Sequence, residues 1–227
     1  MNTAKIIAIT QPLINKTNST FTQYEANEKI SPEDFVVYCA RVSNPSNQMN
    51  MDTAPKLMRY LIDNKHFSPF EMVSITMEIE TTRDIARQIL RHRSFSFQEF
   101  SQRYADPTKD LGFTTRDARL QDKKNRQNSI DTQDEFLHRS WKQKQEQLIH
   151  ETKLAYKWAT ENGIAKEQAR AVLPEGLTIS RLYMSGTLRS WIHYVALRTD
   201  ISTQKEHREV AEDCKDEINR FFPSLKV

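Results

Sequence analysis

Glycine is scarce in this sequence of 227 residues, which has it only at positions 112, 163, 176 and 186. The closest pair, Gly176 and Gly186, is ten positions apart. A G-x-G-x-x-G dinucleotide loop and a phosphate-binding P-loop both need glycines much closer together, because their backbones turn tightly around the phosphates. Both loop types are therefore excluded, and any nucleotide bound by this chain must be held by side chains.

The order of the hydrophobic patterns indicates an α+β fold. Strands and helices do not alternate as in parallel βαβ units, so we expect a mixed or antiparallel central sheet flanked by helices. The run from 131 to 163 carries apolar residues at helical spacing and ends at Asn162-Gly163, which predicts one long amphipathic helix. Its apolar positions are Leu137, Trp141, Leu148, Ala155 and Trp158. The other patterns predict strands at 5–10, 72–82 and 177–184, and helices at 31–41, 54–64, 83–93, 165–173, 186–198 and 203–222.

The length suits one domain with a substantial core, spanning residues 1–227. Residues 106–131 are charged and poor in large apolar side chains, so we expect them to form an exposed polar insertion in that domain. Cys39 and Cys214 show no metal-binding spacing and fit buried free thiols in a reducing, cytoplasmic setting. No apolar run reaches the roughly 20 residues that cross a bilayer, so a membrane partner is not expected.

The net charge of +3 is weak for a nucleic-acid-binding protein, but the charge is unevenly placed. Between positions 83 and 103 there are five arginines and two acids, and five minus two equals the excess of the whole chain. Concentrated arginine favours bidentate recognition of phosphate or carboxylate over diffuse attraction to a polyanion. A small anionic ligand is therefore a better expectation than nucleic acid.

The densest part of this segment reads RHRSFSFQEFSQRY, from Arg91 to Tyr104. Arg91 and Arg93 flank His92 at the end of the predicted helix. In one interpretation these cations only complement the helix dipole and face solvent. In the other interpretation they bind an anion. No histidine pair here or elsewhere in the chain has a metal-binding spacing such as H-E-x-x-H, so no metal is expected.

The residues that follow favour the anion interpretation. Glu99, Ser101 and Arg103 alternate, so on an extended segment they would point to one side. A serine hydroxyl with an arginine fork suits a phosphate. Gln88 and Arg91 are three positions apart and would share one helix face. Together these residues predict a pocket for a nucleoside monophosphate.

Three alternatives remain open at this point. Phe95, Phe97, Phe100 and Tyr104 could stack bases of a single-stranded nucleic acid. The chain could also bind nucleotides without catalysis, or be a scaffold built around its long helix. Ser101 could act as a nucleophile, although it would need an adjacent base.

The spacing R-H-R, seven residues, then Ser resembles the signature of the flavin-dependent thymidylate synthase family. Further segments resemble that family in the same order: KHFSPFE at 65–71, ARQILRHR at 86–93, ARAVLP at 169–174, TLRSWIHYVALR at 187–198 and TQKEH at 203–207. The resemblance implies methylation of dUMP to dTMP without a cysteine nucleophile. It implies FAD as cofactor, NADPH and 5,10-methylenetetrahydrofolate as co-substrates, and homotetramers with shared active sites.

The resemblance also implies roles for individual residues. Arg198 and His66 would be catalytic, with Arg198 stabilising the negative charge that develops when uracil N3 ionises. The residues that hold dUMP would be Gln88, Arg91, Glu99, Ser101, Arg103, Arg170 and Arg198. The backbone at Phe100 and Gln102 would also be close to it. Those near FAD would be Ser68, Arg91, His92, Arg93, Glu99, Thr187, Leu188, Arg189 and His193. His66 and Tyr104 would line the folate or nicotinamide path. The other histidines, His138, His150 and His207, fall in polar helical patterns and are assigned no role.

Overall fold

The structure, a computed structural model, describes residues 3–14 and 29–225. Its strands are β1 (Thr3–Ile9), β2 (Ser74–Thr82), β3 (Ser96–Glu99), β4 (Arg119–Gln121), β5 (Ser129–Asp131) and β6 (Ile179–Thr187). Its α-helices are α1 (Pro32–Ala40), α2 (Ala54–Asp63), α3 (Arg83–Ile89), α4 (Pro107–Asp110), α5 (Glu135–Glu161), α6 (Lys166–Ala169), α7 (Leu188–Arg198) and α8 (Lys205–Phe221). Short 3-10 helices lie at Pro45–Asn47, Ser68–Met72 and Arg170–Val172.

The central sheet has four strands in the order β1-β2-β6-β3, and every neighbouring pair is antiparallel. On β2, Ile75, Met77 and Ile79 alternate with polar residues and are fully buried, as a sheet with one covered face requires. Helices α7 and α8 cover that face, and the Trp191 indole N–H donates to the carbonyl of Ile75 at 3.1 Å. The predicted α+β class is confirmed.

Local sequence signals account for several helix boundaries. Ser31 caps α1, with its hydroxyl accepting from the Asp34 amide and the Asp34 carboxylate accepting from the Ser31 amide. Helix α2 forms where expected, but it buries Ala54, Met58 and Leu61, whereas Tyr60 is exposed. The packed stripe therefore runs i, i+4, i+7.

The long helix is confirmed as α5, but it buries different residues from those that indicated it. Its buried positions are Gln145, Thr152, Tyr156 and Ala159. Trp141, Leu148 and Trp158 remain 45%, 50% and 62% exposed in the single chain. The apolar residues of α5 thus lie largely outside the core of this chain. Within the described residues no helix is long and apolar enough to cross a membrane.

The segment 106–131 packs more closely than its composition suggests. Arg116 Nη2 donates to the Asp84 carboxylate and to the Thr82 hydroxyl, both at 2.7 Å. Phe113 forms a β-bridge with Thr178. The expectation of a fully exposed insertion is wrong for this first half, because arginine can bury its aliphatic stem and still pair its head. The second half forms the exposed β4–β5 ribbon.

Two helices end in the same backbone motif with different residues at its left-handed position. After α5, Gly163 has φ of 80°, with Gly163 N–H bonded to Thr160 O and Ile164 N–H to Ala159 O. After α2, Lys65 has φ of 58°, with the matching bonds from Lys65 N–H to Ile62 O and His66 N–H to Leu61 O. This Schellman motif usually has glycine at that position, because a Cβ is strained there.

We therefore expect Lys65→Gly to raise the free energy of unfolding by about 1 kcal/mol, since the left-handed strain disappears. Urea unfolding followed by circular dichroism measures the change. Lys56→Gly within α2 is the matched control and should lower stability by about 1 kcal/mol, because glycine is unfavourable inside a helix. A loss of stability in Lys65→Gly would contradict the strain argument.

Candidate functional site

Arg198 and His92 form the centre of the candidate site. Arg198, the last residue of α7, donates its Nε–H to His92 Nε2 at 2.9 Å. A guanidinium cannot accept a hydrogen bond, so His92 Nε2 carries no proton and the ring is neutral. Burial and the positive charge of Arg198 lower the pKa of His92 from 6.5 to about 4. The pair therefore keeps a fixed cation beside a neutral imidazole.

The loop that carries His92 is fastened to α7 and β6. Phe95 packs edge-on against Trp191, with ring centroids 4.8 Å apart. A Cβ on Gly186 would lie 2.5 Å from the Phe95 ring, so only glycine fits opposite it. The Ser190 hydroxyl donates to Ser94 O at 3.3 Å. These contacts fix the segment from both sides.

Two further arginines flank His92 without partners of their own. Arg91 and Arg93 are exposed, and in the described part of the chain no acceptor bonds or pairs with either side chain. Helix α3 ends at Ile89, so Arg91 lies in the following turn, and the prediction that it shares a helix face with Gln88 is wrong. The chain turns there to enter β3, which leaves both guanidinium groups available to an anion.

Glu99 ends β3 and is held by neighbouring elements. Its Oε1 accepts from the Ser180 hydroxyl at 2.8 Å and lies 3.6 Å from Arg83 Nη1. The prediction that Glu99, Ser101 and Arg103 alternate along one side is wrong beyond Glu99. The strand stops, and a turn closes between the Ser101 carbonyl and the following residues.

That turn presents Arg103 to α6. Arg103 pairs with Glu167 at 3.1 Å, and both side chains are about half exposed. Arg170 follows α6 directly, so the tertiary structure brings these two predicted nucleotide-binding arginines to one region. Tyr104 is 81% exposed beside them, and its carbonyl accepts from Lys166 Nζ at 2.7 Å.

A third group lies at the start of α7. Arg189 pairs with Glu71 of the 3-10 helix that begins at Ser68. The exposed His193 ring packs edge-on against Phe67, with centroids 4.6 Å apart. His66 is exposed at the start of the same loop. The loop 65–72 and the N-terminal turns of α7 therefore come together.

Three predicted contacts are limited by the structure. The Leu188 side chain is fully buried in the core, so side-chain contact with a flavin is wrong for it. Thr187 caps α7 by accepting from the Ser190 amide, which occupies its hydroxyl oxygen. The Phe100 amide donates to Arg181 O at 2.8 Å, and the Gln102 side chain is buried. The Phe100 amide is therefore not free for a ligand, whereas the backbone contact expected at Gln102 stays a prediction.

Sequence reasoning missed His207, which is fully buried behind the Arg198–His92 pair. Its Nε2 lies 3.1 Å from the Tyr194 hydroxyl and its Nδ1 lies 3.3 Å from Gln88 Oε1. Burial is the main cause that lowers its pKa to about 3, followed by the charge of Arg198. The signal was its spacing, because His207 continues the buried stripe of α8 one turn before Val210.

Comparison with known proteins matches this arrangement to one family. A sequence profile described as thymidylate synthase complementing protein matches residues 27–224. The chain is 46% identical over 222 residues to a probable flavin-dependent thymidylate synthase of Paramecium bursaria Chlorella virus 1, covering 98% of this chain and 96% of that protein. It is 50% identical to a flavin-dependent thymidylate synthase of a Synechocystis species, covering 87% and 89%. The chain belongs to the flavin-dependent thymidylate synthase family.

A solved structure agrees with that membership. The UMP/dUMP methylase PolB of Streptomyces cacaoi, crystallised with 5-Br dUMP, superposes with a TM-score of 0.78 at 26% identity, covering 100% of this chain and 93% of PolB. The family predicted from the arginine–serine spacing is therefore confirmed. The roles of individual residues stay predictions. Three arginines of the site each have a partner: Arg198 bonds to His92, Arg103 pairs with Glu167, and Arg189 pairs with Glu71. Within the described residues, no hydrogen bond or ion pair joins one of these three groups to another.

Because the pKa values of His92 and His207 are lowered in the native state, the free energy of unfolding depends on pH. Their native pKa values, about 4 for His92 and about 3 for His207, lie below the unfolded value of 6.5. Below pH 6.5 the two histidines bind protons in the unfolded chain but not in the native state. Their contribution to the free energy of unfolding is therefore complete above pH 6.5 and is lost as the pH falls toward 4. The slope is about 1.4 kcal/mol per pH unit for each excluded proton.

We expect the free energy of unfolding to fall between pH 7 and pH 5 in urea titrations at fixed protein concentration. His207→Gln should make this fall shallower by removing one titrating ring. His150→Gln, on the exposed side of α5, is the control and should leave the fall unchanged. Equal slopes in the wild type and in His207→Gln would contradict the assignment.

Proposed function

We propose that this chain is a flavin-dependent thymidylate synthase that methylates dUMP at C5 to give dTMP. 5,10-Methylenetetrahydrofolate supplies the carbon, and FAD, reduced by NADPH, supplies the hydride. One observation carries the proposal in the structure. Arg91 and Arg93 flank a neutral His92 that is held by a third arginine, Arg198, and neither flanking guanidinium has a partner among the residues that the structure describes.

The exposed groups suit FAD. Its pyrophosphate is a dianion that matches the unpaired guanidinium groups of Arg91 and Arg93. Ser68, Arg189 and His193 would contact other parts of the cofactor from the loop 65–72 and α7. Arg189 already pairs with Glu71 at the surface, where ion pairs are weak, so it can be shared with a ligand.

Arg198 suits the activation of the uracil ring. Its Nε is committed to His92, which leaves both terminal nitrogens for an acceptor on the nucleotide. A guanidinium stays charged at any physiological pH. Held in a half-buried position, it would stabilise the anion that forms when N3 ionises, and C5 would become more nucleophilic.

Neither cysteine is placed for the alternative, nucleophilic route. Cys214 is fully buried, and burial strongly raises the pKa of its thiol. Cys39 is half-buried, and burial raises its thiol pKa as well. A thiol must ionise to attack carbon, and desolvation opposes that ionisation. Electrostatic activation by arginine therefore fits this chain better.

Binding of single-stranded nucleic acid is less well supported. Phe95 and Phe97 are half-buried and pack against the core, and Phe95 is enclosed by Trp191 and Gly186. Base stacking needs an exposed aromatic face. Tyr104 alone of the four aromatic candidates is largely exposed.

The activity is tested with the purified full chain. We expect it to be yellow, or to become so with FAD, and to bleach with NADPH under anaerobic conditions. With dUMP and 5,10-methylenetetrahydrofolate added, dTMP should form, as followed by chromatography. A protein that takes up no flavin and forms no dTMP would overturn the proposal.

A variant separates nucleotide binding from flavin binding in the same assay. Arg103→Ala removes a charge-assisted contact worth roughly 1.5–3 kcal/mol, which weakens dUMP binding about 10- to 150-fold in calorimetry, with flavin uptake unchanged. Arg59→Ala, an exposed arginine of α2, is the matched control and should bind dUMP normally. Unchanged dUMP affinity in Arg103→Ala would reject the role of Arg103.

We also infer a homotetramer in which subunits share active sites. The apolar residues Phe136, Leu148, Leu154 and Trp158 of α5 are at least half exposed in one chain. Exposed apolar residues that lie together commonly mark an association site, and Leu154 and Trp158 are one turn apart on α5. The three groups of site residues also lack direct bonds to one another within the described residues, which fits completion of the site by a neighbouring copy.

Sedimentation velocity tests the assembly. The wild type should sediment as a tetramer at micromolar concentration, and Trp158→Glu should sediment as smaller species because it places a charge in the interface. Gln147→Glu, an exposed polar position of the same helix, is the control and should remain tetrameric. A monomeric wild type would contradict the shared site.

A further inference from the structure

A line of four hydrogen bonds runs behind the candidate site, from the buried Tyr194 and His207 to half-buried residues. Tyr194 Oη lies 3.1 Å from His207 Nε2, and His207 Nδ1 lies 3.3 Å from Gln88 Oε1. Gln88 Nε2 donates to Gln204 Oε1 at 2.8 Å. Gln204 Nε2 then donates to Glu206 Oε2 at 2.9 Å. The line connects α7, α8 and α3, and Gln88 is its member nearest to the Arg91–Arg93 turn in sequence.

Glu206 sets the direction of this line. Burial opposes ionisation of its carboxyl, but hydrogen bonds from Arg119 and Gln204 outweigh burial and lower its pKa, so it is an anion that can only accept. Gln204 must therefore turn its NH2 toward Glu206 and its oxygen toward Gln88. Gln88 in turn must donate to Gln204, which directs its own oxygen toward His207.

The direction of these hydrogen bonds also determines which ring nitrogen of His207 carries the proton. Because Gln88 Oε1 can only accept, His207 Nδ1 must carry the ring proton, and Nε2 must accept from the Tyr194 hydroxyl. A second proton is opposed by complete burial and by the nearby charge of Arg198. His207 is thus held in one neutral tautomer, with one donor and one acceptor already used.

We propose that His207 is a positioning residue for nucleotide binding, because its Nδ1–H holds the oxygen of the Gln88 carboxamide in the orientation that Glu206 and Gln204 set. One amide N–H of Gln88 is then left as a donor for an acceptor atom of the nucleotide. A reversed amide would present its oxygen to that acceptor, and two acceptors facing each other repel. The inference rests on the proposed function and on the assignment of Gln88 to dUMP.

Two substitutions distinguish hydrogen bonding from mere filling of space. His207→Leu keeps an apolar volume in the core but cannot donate to Gln88. His207→Gln retains one donor and one acceptor and should restore the line. Calorimetry with the FAD-loaded full chain should give dUMP binding about 10-fold weaker in His207→Leu and within about 3-fold of wild type in His207→Gln. Flavin uptake should be equal in all three proteins.

The outcomes separate this inference from the proposed function. His207→Leu binding dUMP as well as the wild type, or His207→Gln failing to restore binding, would overturn the positioning role. A wild type that takes up no FAD and binds no dUMP would instead contradict the proposed function. Equal loss of flavin and dUMP in His207→Leu would show general disruption and would also overturn the positioning role.

A second measurement reports the protonation of the His207 ring directly and does not depend on the stability of a variant. In protein labelled with 15N-histidine, the ring nitrogen shifts report which atom carries the proton, and the missing signals of His207→Gln assign the residue. We expect a proton on Nδ1 and a bare Nε2 throughout pH 6 to 8. A proton on Nε2, or a charged ring, would overturn the one-way arrangement, because Gln88 could not then be held in this orientation.

Discussion

The candidate site depends on how the Arg198 guanidinium is held. Arg198 donates its Nε–H to a histidine 106 positions away, and burial together with the charge of the arginine keeps that histidine neutral near pH 7. The terminal nitrogens of Arg198 bond to no other protein group within the described residues, and they lie at the edge of the core, where the dielectric is lower than in water and charge is worth more. The proposed nucleotide site needs no glycine-rich loop, because side chains supply its cations.

The residues around the Arg198–His92 pair fix its position rather than enclose it. Trp191 anchors α7 to the sheet, Phe95 fills the space that Gly186 leaves open, and His207 is buried behind the Arg198–His92 pair. Ligand-binding groups are then distributed over separate turns. This distribution is consistent with the proposed sharing of active sites between subunits, as are the exposed apolar residues of α5.

Much of the fold follows from local patterns. The alternation in β2, the Ser31 cap of α1 and the Asn162-Gly163 end of α5 were all predictable, because propensity and capping depend on neighbouring residues. The predictions failed where one element had to stop. Helix α3 ends at Ile89 and β3 at Glu99, and in both cases the chain turns to satisfy contacts with distant elements. The packing of Arg116 on Asp84 was equally invisible to composition.

The sequence by itself determined the family and its chemistry. Arg91, His92, Arg93 and Ser101 stand at a fixed spacing, and spacing is preserved whatever the chain does around it. Only the tertiary structure decided the partners: that His92 takes the Arg198 Nε–H, that Gln88 turns inward to a buried histidine, and that Leu188 enters the core. These choices depend on the relative placement of α3, α7 and α8. A hydrogen bond between residues a hundred positions apart leaves no periodic trace in the sequence.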